Sequence, residues 1–213
     1  MTEINEQFSR VVAQTANLTY QKGLSPGTAG NVSAKFGNNI YITPSGKSLG
    51  EVGVHDIVVI DLEGNVLAGA LKPSSEKFMH LEIYKTRPEI TAIIHAHPPK
   101  SCVLAVNKTP LNKAFLAETL IVLGEVPVVD FALPGSEKLA HSVKKLIASS
   151  DALILANHGV LTLGKTLIEA FYKLETLELS ADVYITSKLM GKQSILSKEN
   201  LKGLIDIRNS IQK

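Results

Sequence analysis

The apolar residues of this chain arrive in short runs, each bounded by Gly, Pro, Asn or Asp, and that punctuation confines it to short strands and moderate helices. None of the runs approaches the ~20 residues that a membrane-spanning helix needs. In the first third, strand-like runs at 31–36, 40–43, 57–61 and 66–68 are separated by Gly37-Asn38-Asn39 and Glu63-Gly64-Asn65, which are hairpin-type turn sequences. Later strands, at 91–97, 126–129 and 152–156, alternate with helical stretches instead. Helices are expected at 4–22, stopped by Gly23, from Pro73-Ser74 to about Arg87, at 100–106, from Pro134-Gly135-Ser136 to about Ala148, at 166–189 and at 198–211. Hairpins first and helix-linked strands afterwards predict an α/β fold: helices around a mixed, largely antiparallel sheet. With 213 residues and no repeat or linker, a single domain over 1–213 is expected.

Charge and cysteine content exclude several classes of function. The formal net charge is +2 and no segment gathers Lys or Arg on one face, so nucleic acid is not expected as a partner. The single cysteine, Cys102, allows no intrachain disulfide and reads as a small apolar residue rather than a nucleophile. The polar, acidic start MTEINEQFSR does not resemble a secretory signal. A cytoplasmic protein with no membrane partner is the expectation.

Chemistry concentrates in the histidines. In Ile93-Ile94-His95-Ala96-His97-Pro98 the two imidazoles are two residues apart, a spacing that sends both to one face of a strand. Pro98 then ends the ladder and opens a loop. His158, in Asn157-His158-Gly159, follows a second apolar run and also stands at a strand end. Three imidazoles with one carboxylate would complete a shell suited to zinc and tolerant of manganese, cobalt or iron. The bland alternative is a set of separate core histidines held by backbone groups. Glu76, after Lys72-Pro73-Ser74-Ser75, is the carboxylate candidate, and its own bland alternative is a solvent-facing acid in a first helical turn. Donor-rich segments at Gly27-Thr28-Ala29-Gly30-Asn31, Thr43-Pro44-Ser45-Gly46 and Ser74-Ser75 offer hydroxyls and amides to an anion, although each alone is also a simple turn.

Taken in order, Thr28-Ala29-Gly30-Asn31-Val32-Ser33, Thr43-Pro44-Ser45-Gly46, Lys72-Pro73-Ser74-Ser75-Glu76, His95-Ala96-His97 and Asn157-His158-Gly159 resemble the class II aldolase/adducin-head family, most closely its fuculose-phosphate aldolase branch. The resemblance runs to about Met190. It implies a three-layer α/β/α domain, a homotetramer with active sites between subunits, and one divalent metal ion per subunit, zinc first. It places His95, His97 and His158 at the metal-ligand positions and Glu76 at the proton-transfer position, where it also reaches the metal. Gly30, Asn31, Ser45, Gly46, Ser74 and Ser75, with Thr28 beside them, fall at the positions that hold a substrate phosphate. The implied reaction is cleavage of a deoxyketose or ketose 1-phosphate, such as 5-deoxyribulose or fuculose 1-phosphate, to dihydroxyacetone phosphate and a small aldehyde.

Alternatives within the same resemblance are a methylthioribulose-1-phosphate dehydratase, a pentulose-phosphate epimerase and a non-catalytic binding module. The epimerase branch typically shows aspartate where this chain has Glu76. One departure concerns the aldehyde end. The fuculose enzyme carries a tyrosine between its second ligand histidine and the Pro-Gly turn, whereas this chain has no Tyr between Tyr84 and Tyr172. Glu118 or a water is the expected substitute, and Phe115, Leu116, Phe131 and Leu133 are expected to give that end an apolar lining.

Overall fold

A computed structural model describes residues 5–112, 115–191 and 193–211. Eight strands form one sheet: β1 (Asn31–Phe36), β2 (Asn39–Ile42), β3 (Val58–Ile60), β4 (Val66–Ala68), β5 (Ala92–Ala96), β6 (Val128–Val129), β7 (Ala152–Leu155) and β8 (Gly159–Gly164). Their spatial order is β4-β3-β2-β1-β5-β8-β7-β6. Every pairing is antiparallel except that of β6 with β7, so the sheet is mixed and largely antiparallel as the turn pattern predicts.

Among the described residues, six α-helices accompany the sheet: α1 (Glu6–Gln21), α2 (Lys77–Thr86), α3 (Pro99–Val106), α4 (Glu137–Ile147), α5 (Leu167–Leu189) and α6 (Lys198–Ile211). Alternation along the central strands divides the interior in two. Val32, Ala34, Ile94 and Ala96 share one core with Val12 and Ala16 of α1, Leu104 of α3 and Leu174 of α5. Ile93, Leu161 and Leu163 share the other with Met79 and Ile83 of α2 and with Leu139 and Val143 of α4. Helices therefore cover both faces, which is the three-layer α/β/α arrangement. Among the described residues, no helix is long and apolar enough to cross a membrane.

Three differences from the sequence reading have physical causes. β8 is not expected from the sequence, in which the run at 152–156 leads only into a polar loop. Instead β7 turns straight back through Ala156, Asn157 and His158, and the sharp turn places Asn157 at φ 55°. The helix expected just after Pro73-Ser74, with Glu76 in its first turn, begins at Lys77, and Glu76 takes the capping position. A π-helical turn at Thr119–Leu123 has no counterpart among the expected elements and packs on α5, where Thr119 and Ser180 share a 2.7 Å hydrogen bond. The expected start of the first helix, at residue 4, lies outside the described residues.

Candidate metal centre

Strand β5 lies between β1 and β8, and this position assembles the site. Register pairs His95 with Asn31 on one side and with Leu161 on the other. His95 is completely buried, and its Nδ1 lies 2.9 Å from the carbonyl of Val160. Since that oxygen only accepts, Nδ1 donates and Nε2 is left facing the cluster. His97 follows the end of β5, with its Nε2 3.0 Å from His95 Nε2.

The chain after His97 is pinned. Pro99 opens α3, whose first amides, Lys100 N–H and Ser101 N–H, each donate at 2.8 Å to the Glu178 carboxylate of α5. The β7–β8 turn is held in turn by α3, since Asn157 N–H donates to the Ala105 carbonyl at 3.0 Å. His158, on that turn, completes a trio whose candidate ligand atoms all lie within 4.8 Å of one another. Gly159 makes the convergence possible. A Cβ there would stand 2.6 Å from the Ala96 carbonyl oxygen and 2.6 Å from Cδ2 of His97.

Glu76 enters from the α2 side. Its Oε2 lies 3.1 Å from His95 Nε2 and its Oε1 lies 3.4 Å from His158 Nε2. The residue is only 8% exposed, which rules out the solvent-facing reading of a helix-start acid. Burial pushes its carboxyl up, but hydrogen bonding and charge from His95, the charge of His158 and the Asn31 amide outweigh that and bring it down to about 2. His97 and His158 are each held down to about 4, by burial first and by the neighbouring charge of His95 next. Both are therefore neutral near pH 7, with the lone pairs a cation requires.

The donor set fits a divalent ion on observations of this structure alone. A buried carboxylate oxygen, Glu76 Oε1, and a buried imidazole nitrogen, His158 Nδ1, have no hydrogen-bond partner, so the cluster is one that hydrogen bonding does not fully satisfy. Tetrahedral zinc ligands stand roughly 3.3 Å apart, close to the 3.0, 3.1 and 3.4 Å that separate His97 from His95, His95 from Glu76 and His158 from Glu76, while the trio as a whole lies within 4.8 Å. Separate core histidines would not converge on one point.

The anion-binding candidates gather at the same end of the sheet. Ser45 N–H donates to the Lys72 carbonyl at 3.0 Å and Ser74 N–H to the Thr43 carbonyl at 3.1 Å, tying two of the segments together. Gly30, at φ 78°, packs so closely that a Cβ would stand 2.7 Å from the His95 carbonyl oxygen. Ser45, Gly46 and Ser75 are exposed, and Thr28 is exposed in the turn closed by Ala29 N–H on the Pro26 carbonyl. Ser74 is buried, and its hydroxyl accepts from Glu76 N–H at 3.2 Å. The Asn31 amide donates to Glu76 Oε2 at 3.0 Å.

The expected aldehyde-end residues are less unified. Phe115 turns into the protein, its ring centroid 5.5 Å from that of Tyr184, so it offers little lining within this chain. Phe131 and Leu133 are exposed, just before a turn in which Gly135 abuts the Ser75 carbonyl. Glu118 is exposed beside the π-helical turn on the α5 face, and no described contact joins it to the cluster. Burial, then the charge of Glu178, pushes the Cys102 thiol up to about 11, consistent with an inert residue.

Comparison with known proteins agrees with this geometry. Residues 10–185 match the family described as the class II aldolase and adducin N-terminal domain. An L-fuculose phosphate aldolase of Methanocaldococcus jannaschii is 42% identical over 179 residues, covering 81% of this chain and 93% of that protein. A 3-oxo-tetronate 4-phosphate decarboxylase of Haemophilus influenzae is 35% identical over 87% of this chain and 90% of its own length. A 5-methylthioribulose-1-phosphate/5-deoxyribulose-1-phosphate aldolase of Escherichia coli is also 35% identical, over 84% of each. A solved L-fuculose 1-phosphate aldolase superposes with a TM-score of 0.90 at 34% identity, covering 95% of this chain and 96% of that one. The chain therefore belongs to the class II aldolase and adducin N-terminal-domain family, and is an enzyme of its class II aldolase type.

Proposed function

We propose that this enzyme cleaves a ketose 1-phosphate, with a 5-deoxypentulose or 6-deoxyhexulose as the preferred sugar, to dihydroxyacetone phosphate and a small aldehyde. The observation that carries the reading is the buried Glu76 carboxylate set between His95 and His158. His95, His97 and His158 would hold one divalent cation, zinc by preference, with Glu76 reaching it before substrate arrives. Bound there, the cation supplies Lewis-acid stabilisation of negative charge on the substrate's carbonyl oxygen.

Breaking a carbon–carbon bond beside a ketone leaves an electron pair on the ketone half. As the bond breaks, the hydroxyl of the leaving half gives up its proton and becomes the aldehyde carbonyl; Glu76, ionised at rest, gains a proton in exchange, delivers it to the carbon of the ketone half, and takes it back in the reverse direction. Its position at the start of α2, buried and hydrogen-bonded, excludes bulk water from that transfer. The segments carrying Thr28, Gly30, Asn31, Ser45, Gly46, Ser74 and Ser75 bind and orient the phosphate, so binding energy remote from the bond positions it. A subunit of a homotetramer, with a neighbour completing the aldehyde end, fits the lack of a local acid there. The deoxy preference is supported by the exposed Phe131 and Leu133 and by the 5-deoxyribulose-1-phosphate activity of the Escherichia coli relative.

Decarboxylation is the second reading, favoured by the Haemophilus influenzae relative. Loss of carbon dioxide from a β-keto acid leaves the same electron pair beside a carbonyl, and the same residues would serve. The deciding experiment offers metal-reconstituted enzyme fuculose 1-phosphate, 5-deoxyribulose 1-phosphate, ribulose 1-phosphate and 3-oxo-tetronate 4-phosphate in parallel. Dihydroxyacetone phosphate from the first two, with the larger kcat/KM values, is expected. Carbon dioxide from the fourth alone would replace the aldolase reading with a decarboxylase.

A further inference from the structure

A buried polar chain runs away from Glu76 through the core. Asn31 Nδ2 lies 3.0 Å from Glu76 Oε2, Asn31 Oδ1 meets His80 Nε2, His80 Nδ1 lies 2.7 Å from Ser33 Oγ, and Ser33 Oγ lies 2.7 Å from the Tyr84 hydroxyl. His80 and Ser33 are fully buried and Tyr84 is 2% exposed. The spacing explains the assembly. Glu76, His80 and Tyr84 recur every four residues on α2 and its cap, while Asn31 and Ser33 alternate on β1, so a helix face closes on a strand face.

The carboxylate end fixes the direction of every link. An ionised carboxylate only accepts, so Asn31 must present its NH2 to Glu76 and its carbonyl to His80. His80 must then carry its proton on Nε2, leaving Nδ1 to accept from the Ser33 hydroxyl. Ser33 accepts in turn from the Tyr84 hydroxyl. Each donor thus has one acceptor, from Tyr84 to Glu76. Burial, then the charge of His95, drives the imidazole of His80 down to about 3, so it stays neutral as this order demands.

We propose that Ser33, His80 and Tyr84 are positioning residues: their one-way relay locks the orientation of the Asn31 amide and thereby the pose of the Glu76 carboxylate. This rests on the reading of Glu76 as the proton-transfer group. The chain runs through a core otherwise built of Ile, Leu, Val, Met and Ala, to which Tyr84 itself belongs. Buried polar groups of this kind, fully satisfied, specify a single arrangement.

Two measurements separate this inference from the function it rests on. In the metal-free protein, 15N NMR of the imidazoles, with His80→Gln to assign the signals, should show His80 neutral and protonated at Nε2 at pH 7. The Asn31 amide protons should be protected from exchange, and His80→Leu should abolish that protection. Neither readout needs metal or turnover. A ring protonated at Nδ1, or Asn31 protection that survives His80→Leu, overturns the relay.

In the active, metal-loaded enzyme, His80→Leu should lower kcat by about 10–100-fold, the scale of lost orienting partners, with KM and metal content unchanged. His80→Gln keeps a donor for Asn31 and should recover most of the rate. In a Glu76→Gln background, His80→Leu should change the residual rate less than about twofold, because its partner is already gone. Equal losses in both backgrounds would make His80 merely structural. Should His80→Leu fail to fold, Ser33→Ala carries the same test, because it leaves His80 Nδ1 without its donor while changing less volume. A wild-type enzyme that cleaves no ketose phosphate would refute the aldolase reading, while the NMR measurement would still decide the relay.

Discussion

At the scale of single residues, the site depends on groups that are unusual for where they sit. A glutamate at a helix start is normally wet, yet Glu76 is buried and remains ionised, its carboxyl held down against the cost of burial by His95 first and by the Asn31 amide. Glu76→Gln keeps the volume and removes the titrating oxygen. It should retain the fold and the histidine trio, and lower turnover by on the order of a hundredfold or more; a variant cleaving at the normal rate would return Glu76 to a structural role. His95→Ala, His97→Ala and His158→Ala should each lose bound metal and activity together, read by elemental analysis beside the assay. Full metal occupancy in any one of them would remove that residue from the ligand set. The histidines and Glu76 were legible because ligand chemistry restricts residue type and because His-x-His on a strand has a fixed geometry. His80 and Tyr84 were not singled out, although their spacing of four from Glu76 was present in the sequence. Without the β1 register, that spacing has no partner strand to give it meaning.

At the scale of elements, the site is a product of tight junctions. β8 was invisible as a strand because the chain reverses through Asn157 at φ 55°, with too few residues between the runs to announce a turn. The hairpins at 37–39 and 63–65 were legible because Gly and Asn mark them in the usual way. Gly159→Ala tests the β5–β8 junction: a methyl 2.6 Å from the Ala96 carbonyl and from the His97 ring must push strand or ring aside. The variant should lose metal and at least ten times the activity that an alanine in open space, such as Gly203→Ala, would lose. Normal metal content would show that the junction yields without disturbing His97.

Away from the site, Asp151 joins four helices. It pairs with Arg87 just beyond α2 at 3.1 Å, Lys173 of α5 at 3.0 Å and Arg208 of α6 at 3.4 Å, while Arg87 also donates to the Ile147 carbonyl of α4. Burial raises its carboxyl, but Lys173 and Arg87 more than reverse this and hold it below the ordinary value. A depressed folded pKa means the stabilisation is complete above the unfolded value of about 3.9 and fades as pH falls below it. Asp151→Asn strips the cations of their shared partner. It should cost about 3 kcal/mol, or roughly 6–12 °C in Tm, and should flatten the acid limb of the stability profile below about pH 4. A melting curve unchanged at pH 7 would show the network to be dispensable.

At the scale of the whole molecule, the three-layer fold explains how residues distant in sequence share one point: β5 is central, so its neighbours β1 and β8 deliver Asn31 and the His158 turn from either side. The fold class was readable because strand and helix periods differ and the turns between them were explicit. An assembly of four subunits is expected only through the family resemblance, since nothing local encodes a neighbour. Large side chains such as Leu133, Leu179, Leu189 and Met190 are exposed on the isolated chain, at 70%, 55%, 83% and 80%, and are available to a subunit interface. Light scattering should find a particle about four times the 22.9 kDa chain mass; a monomer would require the aldehyde end to be completed within one chain.

In the proposed reaction, a metal held by His95, His97 and His158 and a proton moved by Glu76 break a carbon–carbon bond of a sugar phosphate. The most direct measurement strips the enzyme with a strong chelator, returns about one equivalent of zinc, manganese or cobalt per subunit, and follows fuculose 1-phosphate throughout. No cleavage is expected after stripping, and after reconstitution one dihydroxyacetone phosphate and one lactaldehyde should appear for each sugar consumed. Cleavage that persists in the stripped enzyme, or a reconstituted enzyme that yields no dihydroxyacetone phosphate from any ketose 1-phosphate, would contradict it.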